Sequence, residues 1–145
     1  RTRRCNDARQ LRIARAVAGA VGPGGSLAFV LSTSVKAPIG GLAISNGLRP
    51  GLAMTAKMMA DELGPRGVRV NTLMPGRIET DRVAHLDSLA ADPAAARAGH
   101  EAQIPLGRYG TPEEFGRIAA FVLSPAAAFV TGASIPVDGG LTRAL

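Results

Sequence analysis

The sequence is poor in several things, and each shortage removes a class of protein. Its one cysteine, Cys5, cannot close an internal disulfide, which excludes a disulfide-stapled scaffold and points to a reducing, cytoplasmic compartment. Tryptophan is absent and aromatics make up 3% of the 145 residues, so the core must be aliphatic, drawn close by 18 glycines and 26 alanines. No apolar run reaches the roughly 18–20 residues of a transmembrane helix, which argues against a membrane partner. The two histidines, His85 and His100, have no cysteine or carboxylate at ligand spacing, so no metal site is expected and both read as surface or helix residues.

What is present is moderately polar and unevenly charged. Hydrophobic residues account for 46% and charged residues for 19%, the balance of a packed domain. The net charge of +6 is misleading, because Arg1, Arg3, Arg4, Arg9, Arg12 and Arg15 face Asp7 alone in the first fifteen residues. The body that follows is nearly neutral, which argues against a nucleic-acid partner, and no apolar stretch behind the arginines suggests a targeting segment.

The order of elements is legible. Apolar groups at helical spacing predict a helix over 8–21, ended by Gly22-Pro23-Gly24-Gly25. The continuous run 26–32, SLAFVLS, predicts a buried parallel strand, and a long helix is predicted over 46–63, with Asn46 or Ser45 as its cap and Pro50 in its first turns. A second buried strand, 68–74, closes at Pro75-Gly76. Residues 80–103 read as one or two short helices on a mobile excursion. Thr111-Pro112-Glu113-Glu114 is a capping box that opens a helix over 111–123, and 133–137 is a third strand. Strands alternating with helices imply a parallel sheet covered on both faces. On the long helix Lys57 and Asp61 stand four apart, at the spacing of a surface ion pair.

Three stretches carry a resemblance: ELGPRGVRVNTLMPG (62–76), IPLGRYGTPEEF (104–115) and FVLSPAAAFVTGASIPVDGG (121–140). Together with the strand ending at Ser32 they resemble, in family order, the middle and C-terminal parts of the short-chain dehydrogenase/reductase family. The resemblance implies an α/β chain: the C-terminal part of a doubly wound, mostly parallel Rossmann-type sheet. On this expectation residues 1–145 form one partial domain. The family's opening strand and TxxxGxG turn, which receives the cofactor pyrophosphate, have no counterpart; GPGG at 22–25 precedes a strand and reads as a linker.

The resemblance also implies functions for particular residues. In the family a serine steadies the substrate oxygen and a tyrosine transfers its proton. A lysine lowers the tyrosine pKa and holds the nicotinamide ribose. Counting back from Glu62-Leu63 puts these positions at Ser32, Ser45 and Arg49, so two of the three depart from the usual pattern, and Ser45-Asn46-Gly47-Leu48-Arg49 resembles an atypical branch. A serine hydroxyl is far more basic as an oxyanion than a phenolate, which makes Ser45 a hydrogen-bond donor at most; a planar guanidinium does not reproduce a compact ammonium. In the bland reading Ser32, Thr33 and Ser34 cap the strand end and Ser45 or Asn46 caps the helix. Pro75, Gly76, Ile78 and Thr80 are the cofactor-facing positions that the resemblance implies, with Ile78 meeting the carboxamide through its backbone; the alternative is a turn kept for packing. Asn71 is expected to bond its local backbone. Tyr109, the one tyrosine, is expected in packing or a subunit contact, and Arg82 as a solvated charge.

The function so implied is hydride transfer between NAD or NADP and a small carbonyl or secondary alcohol such as a 3-oxoacyl or related compound, with little turnover expected from this polypeptide alone. The alternative is a non-catalytic scaffold or partner subunit of an active relative. In either case a homo-oligomer, dimer or tetramer, is the expected partner besides the small-molecule substrate.

Overall fold

A computed structural model describes residues 4–144, and the side chains of 9–144. Arg1 and Arg3 of the basic start lie outside the described residues, as do the side chains of Arg4 and Cys5. The elements run α1 (Arg4–Ala20), β1 (Ser26–Val30), α2 (Ala43–Leu63), β2 (Arg69–Pro75), α3 (Asp81–Ser88), α4 (Pro93–Glu101), α5 (Pro112–Leu123) and β3 (Ser134–Val137). The strands stand side by side in the order β1-β2-β3, both pairings parallel, with Leu27 opposite Val70 and Leu73 opposite Ile135. The expected architecture is the observed one.

The central strand explains the continuous apolar run. All five residues from Val70 to Met74 are buried, so neither face of β2 meets water. Successive side chains point to opposite faces. Val70, with Leu27 and Phe29 of β1, packs into a cluster with Ala14 of α1 and with Ala56, Met59, Ala60 and Leu63 of α2. Ser26 and Arg69, one residue earlier on their strands, point the other way and bond the carbonyl of Val122 in α5 at 3.4 and 2.8 Å. Helices therefore cover both faces. Alanines on the inner side of α2 let its backbone lie close to the sheet, which suits a core with so few aromatics.

Two arginines tie helix ends together across the chain. Arg69 also donates to the carbonyls of Leu123, Ser124 and Val130, and Arg66 to those of Ala18 and Val21. Each guanidinium meets the carbonyls at a helix C-terminus, where a cation is favoured. Gly67 turns from α2 into β2 at a φ of +73°, a left-handed conformation open to glycine, with Pro23 packed beside it.

Three expectations need correction. The long helix starts at Ala43, so Asn46 is not its cap; Leu42 occupies that place without a side-chain bond. The Asn46 side chain reaches back instead to the amide and carbonyl of Ile39, at 3.0 and 2.9 Å, closing the preceding loop. Pro50 consequently lies inside the helix, where its missing N–H leaves the carbonyl one turn earlier without a helical donor. Asn71, nearly fully buried, does bond backbone, but not locally: it donates to Val130 and accepts from Ala133, about sixty residues away, and so positions the approach to β3. The excursion 80–103 is two helices, capped by Thr80 and Asp92, with Pro93 in the first turn of the second.

Candidate functional site

The chemistry-bearing residues gather at the carboxyl ends of β1 and β2, where ligands bind in open α/β sheets. Beyond β1 the chain makes a 3-10 turn over Thr33–Val35, and Ser32 caps it by accepting from the Ser34 amide at 3.2 Å. Thr33 and Ser34 are buried. Ser34 in turn shares a 3.1 Å hydrogen bond with the hydroxyl of Ser45 on α2. One turn further along α2, Arg49 donates to the carbonyl of Leu31, the residue just before Ser32. The three positions inferred from the resemblance thus meet at one strand end. Ser34 links two of them, and nothing in the sequence reading singled it out beyond its place in a hydroxyl cluster. Ser32 is half-buried and, having accepted a bond, keeps its hydroxyl proton to donate.

The turn after β2 is fixed by close packing. The Gly76 amide donates to Val137, and a Cβ at Gly76 would fall 2.6 Å from the Cβ of Asp138, so only glycine fits. Beyond it Ile78 forms an isolated parallel bridge with Gly110: the Gly110 amide bonds the carbonyl of Arg77 at 3.0 Å, and the Glu79 amide bonds that of Gly110 at 2.8 Å. In a parallel bridge of this form the residue between the two bonded neighbours turns its own amide and carbonyl the opposite way. Ile78 therefore presents one donor and one acceptor, the complement of a planar carboxamide. Thr80 accepts from the Val83 amide at 3.4 Å as the cap of α3. Pro75 ends β2.

Two clefts flank this turn. One, of about 330 Å³, is lined by Ile78, Leu106 and Val137 with Arg77, Arg108 and Glu114. Arg108 forks onto Glu114 at 2.6 and 2.9 Å; that bond, with the Thr111 amide, holds the Glu114 carboxyl down to about 2. Glu114 also completes the capping box with Thr111 that the sequence predicts. The other cleft, about 320 Å³, is lined by Glu79, Thr80, Asp87, Arg97 and Tyr109.

Sequence reasoning missed the polar network beside the second cleft. Tyr109 is buried and donates to Asp87 at 2.9 Å; Arg77 donates to Asp87 at 2.7 Å and reaches His100 at 2.6 Å. Arg97 lies 4.7 Å from the centre of the Tyr109 ring and pairs with Glu79 and Glu101. Burial and the Asp87 carboxylate push the Tyr109 hydroxyl above the ordinary phenol range, opposite to what a proton donor working near neutrality needs. Tyr109 serves internal packing. His100 is on a helix, as expected, but is engaged by Arg77; His85 and Arg82 are exposed on α3. The Lys57–Asp61 pair forms at 3.2 Å. Among the described residues no cluster suits a metal ion, and no helix is long and apolar enough to cross a membrane.

A family model described as enoyl-(acyl carrier protein) reductase matches residues 9–142. The chain is 42% identical over 103 residues to cyclohexanol dehydrogenase of a Rhodococcus species, covering 71% of this chain and 36% of that protein. It is 41% identical over 93 residues to the 3-oxoacyl-acyl-carrier-protein reductase of Pseudomonas aeruginosa, covering 64% and 35%. Among solved structures, a short-chain dehydrogenase family protein from Francisella tularensis superimposes with a TM-score of 0.84 at 27% identity, covering 92% of this chain and 57% of that one. An NADPH-bound short-chain oxidoreductase from Pseudomonas aeruginosa, described as containing an atypical catalytic centre, gives 0.75 at 32% identity, covering 85% and 48%. The chain spans about a third of the length of these curated relatives and about half of the solved chains.

Proposed function

The chain belongs to the short-chain dehydrogenase/reductase family, and on that premise we propose that its clustered strand ends form the nicotinamide side of an NAD(P)-dependent oxidoreductase site. The observation that carries this reading is the amide and carbonyl of Ile78 left free by its bridge to Gly110, just beyond β2, while the Ser32–Ser34–Ser45–Arg49 cluster lies at the end of the neighbouring strand β1. When bound, the nicotinamide would supply the hydride. The chain's own part is to hold and orient. Ile78 reads the carboxamide through its backbone, the Pro75-Gly76 bend sets its position, and the Thr80 hydroxyl stands two residues on, in the neighbouring cleft. Arg49, anchored on Leu31, keeps a permanent positive charge and further donors for ribose hydroxyls. Ser32 donates to the substrate oxygen, and Ser45, tied to Ser34, orients it. Neither is a strong general acid, so this centre polarises a carbonyl more readily than it protonates one. A small ketone, or the secondary alcohol it yields, is the proposed substrate class, with 3-oxoacyl compounds favoured by the second of the relatives named above.

Saturation-transfer NMR with NADH and NADPH tests this. Transfer should concentrate on the nicotinamide and its ribose, and Arg49→Ala should weaken binding by about 1.5–3 kcal/mol, the worth of a charge-assisted bond. Absence of transfer, or unchanged affinity in Arg49→Ala, would overturn the assignment.

A second reading, a partner subunit that does not itself turn over, is favoured by α2. Its outer side exposes Ile44, Leu48, Met54 and Met58 along one face while the other is buried, so the helix is apolar on both. Self-association through this face is part of the proposal under either reading. It predicts a dimer in light scattering that Met54→Lys dissociates, and a monodisperse wild-type monomer would count against it.

A further inference from the structure

We propose that Arg77 and His100 form a proton-sensitive latch that holds the α3–α4 hairpin against the turn after β2, closed with a neutral imidazole and released by its protonation. The two helices of the hairpin bury little apolar surface. Asp87 is the only buried residue of α3, α4 has none, and Leu86 and Leu89 are exposed. The two helices pack chiefly on each other. Their attachment to the rest of the chain is therefore polar, and one guanidinium supplies its centre. From the turn, Nη1 of Arg77 donates to Asp87 on α3, and Nη2 meets Nε2 of His100 on α4 at 2.6 Å.

Arginine has donors only, so His100 must accept at Nε2 and carry its proton at Nδ1. Protonating that nitrogen sets donor against donor and cation against cation at contact distance. The groups facing His100 are Arg77 from the turn and Asp87 from α3, the latter at 3.8 Å. On its own helix Arg97 and Glu101 bond each other, and Arg97 also bonds Glu79 ahead of α3. Tyr109, from the loop before α5, completes the cluster through Asp87. Asp87 has room for an imidazolium on the oxygen 3.8 Å away, but that oxygen also accepts from Arg77, so imidazolium and guanidinium would crowd one atom. A charged His100 must either leave Arg77 or displace it from Asp87. In both outcomes the guanidinium no longer spans the two helices. Nothing in the latch depends on a bound cofactor.

Amide hydrogen exchange of the full chain, followed at about pH 7.5 and about pH 5.5 and corrected for intrinsic rates, tests the latch. Amides of α3 and α4 should exchange about tenfold faster at the lower pH, with β2 unchanged as the internal reference. His100→Gln keeps an acceptor for Arg77 and cannot titrate, so the pH step should vanish; its loss at either exchange level supports the latch. His85→Gln should leave the step intact. Equal exchange at both pH values in the wild-type chain, or a step that survives His100→Gln, would overturn the proposal.

Discussion

The face of the sheet under α2 and the α3–α4 hairpin hold their places by opposite means. α2 buries Leu52, Ala56, Met59, Ala60 and Leu63 against β1 and β2, a dry contact indifferent to pH and strengthened by salts that favour burial. The hairpin docks through Asp87, His100 and Arg97, whose partners are charges, hydroxyls and one aromatic face. Apolar burial gives a permanent scaffold. Polar docking gives an element held by charge and hydrogen bonding, and it meets the turn that carries Ile78 through Arg77.

The contrast can be broken most severely at Leu73, which is fully buried on β2. Leu73→Ala should cost about 2–5 kcal/mol in global stability by denaturant titration, with the loss shared by every element. At α5, whose start is polar and whose Val122 is buried, Thr111→Ala removes half of the capping box and should cost about 0.5–2 kcal/mol in the same titration. The same cap predicts an acid response. The Glu114 carboxyl is lowered from its ordinary 4.5 to about 2, so its stabilisation is complete above 4.5 and is lost as pH falls toward 2. Circular dichroism should show that acid sensitivity diminished in Glu114→Gln.

Smaller effects sharpen the comparison on the hairpin side. Tyr109→Phe keeps the ring under Arg97 and deletes the bond to Asp87; about 0.5–1.5 kcal/mol should be lost, and amide exchange should register it in α3 before β2. Lys57→Ala removes an exposed ion pair and should shift the denaturation midpoint by less than about 0.5 kcal/mol.

The fold was legible because its signals are local. The run 68–74 is apolar on both faces because both faces are covered, and Thr111-Pro112-Glu113-Glu114 satisfies its own backbone donors within one turn. The start of α2 was misread for the same reason. Asn46 is a good cap by composition, yet its amide found both backbone groups of Ile39 across a loop whose closure no short pattern encodes. The register from Glu62-Leu63 pointed to Ser32, Ser45 and Arg49, which the structure brings to one strand end, but Ser34 as their link required the 3-10 turn. The Arg77–Asp87–His100–Tyr109 network had no signal in sequence, since its members lie on four segments with no common spacing.

By itself the sequence determined which segments become strands and helices, that the strands lie parallel, and which family the chain resembles. Periodicity, caps and breakers act within a turn or two, and an apolar run of strand length is covered wherever it goes. Tertiary structure alone decided what the long polar side chains do. Arg69 and Arg66 cap distant helix ends, Asn71 positions the approach to β3, and Arg77 gathers two helices. An arginine or asparagine can satisfy its donors on any surface within reach. Its partner is fixed only when packing brings one set of carbonyls, carboxylates or imidazole nitrogens to that place and removes the competing water.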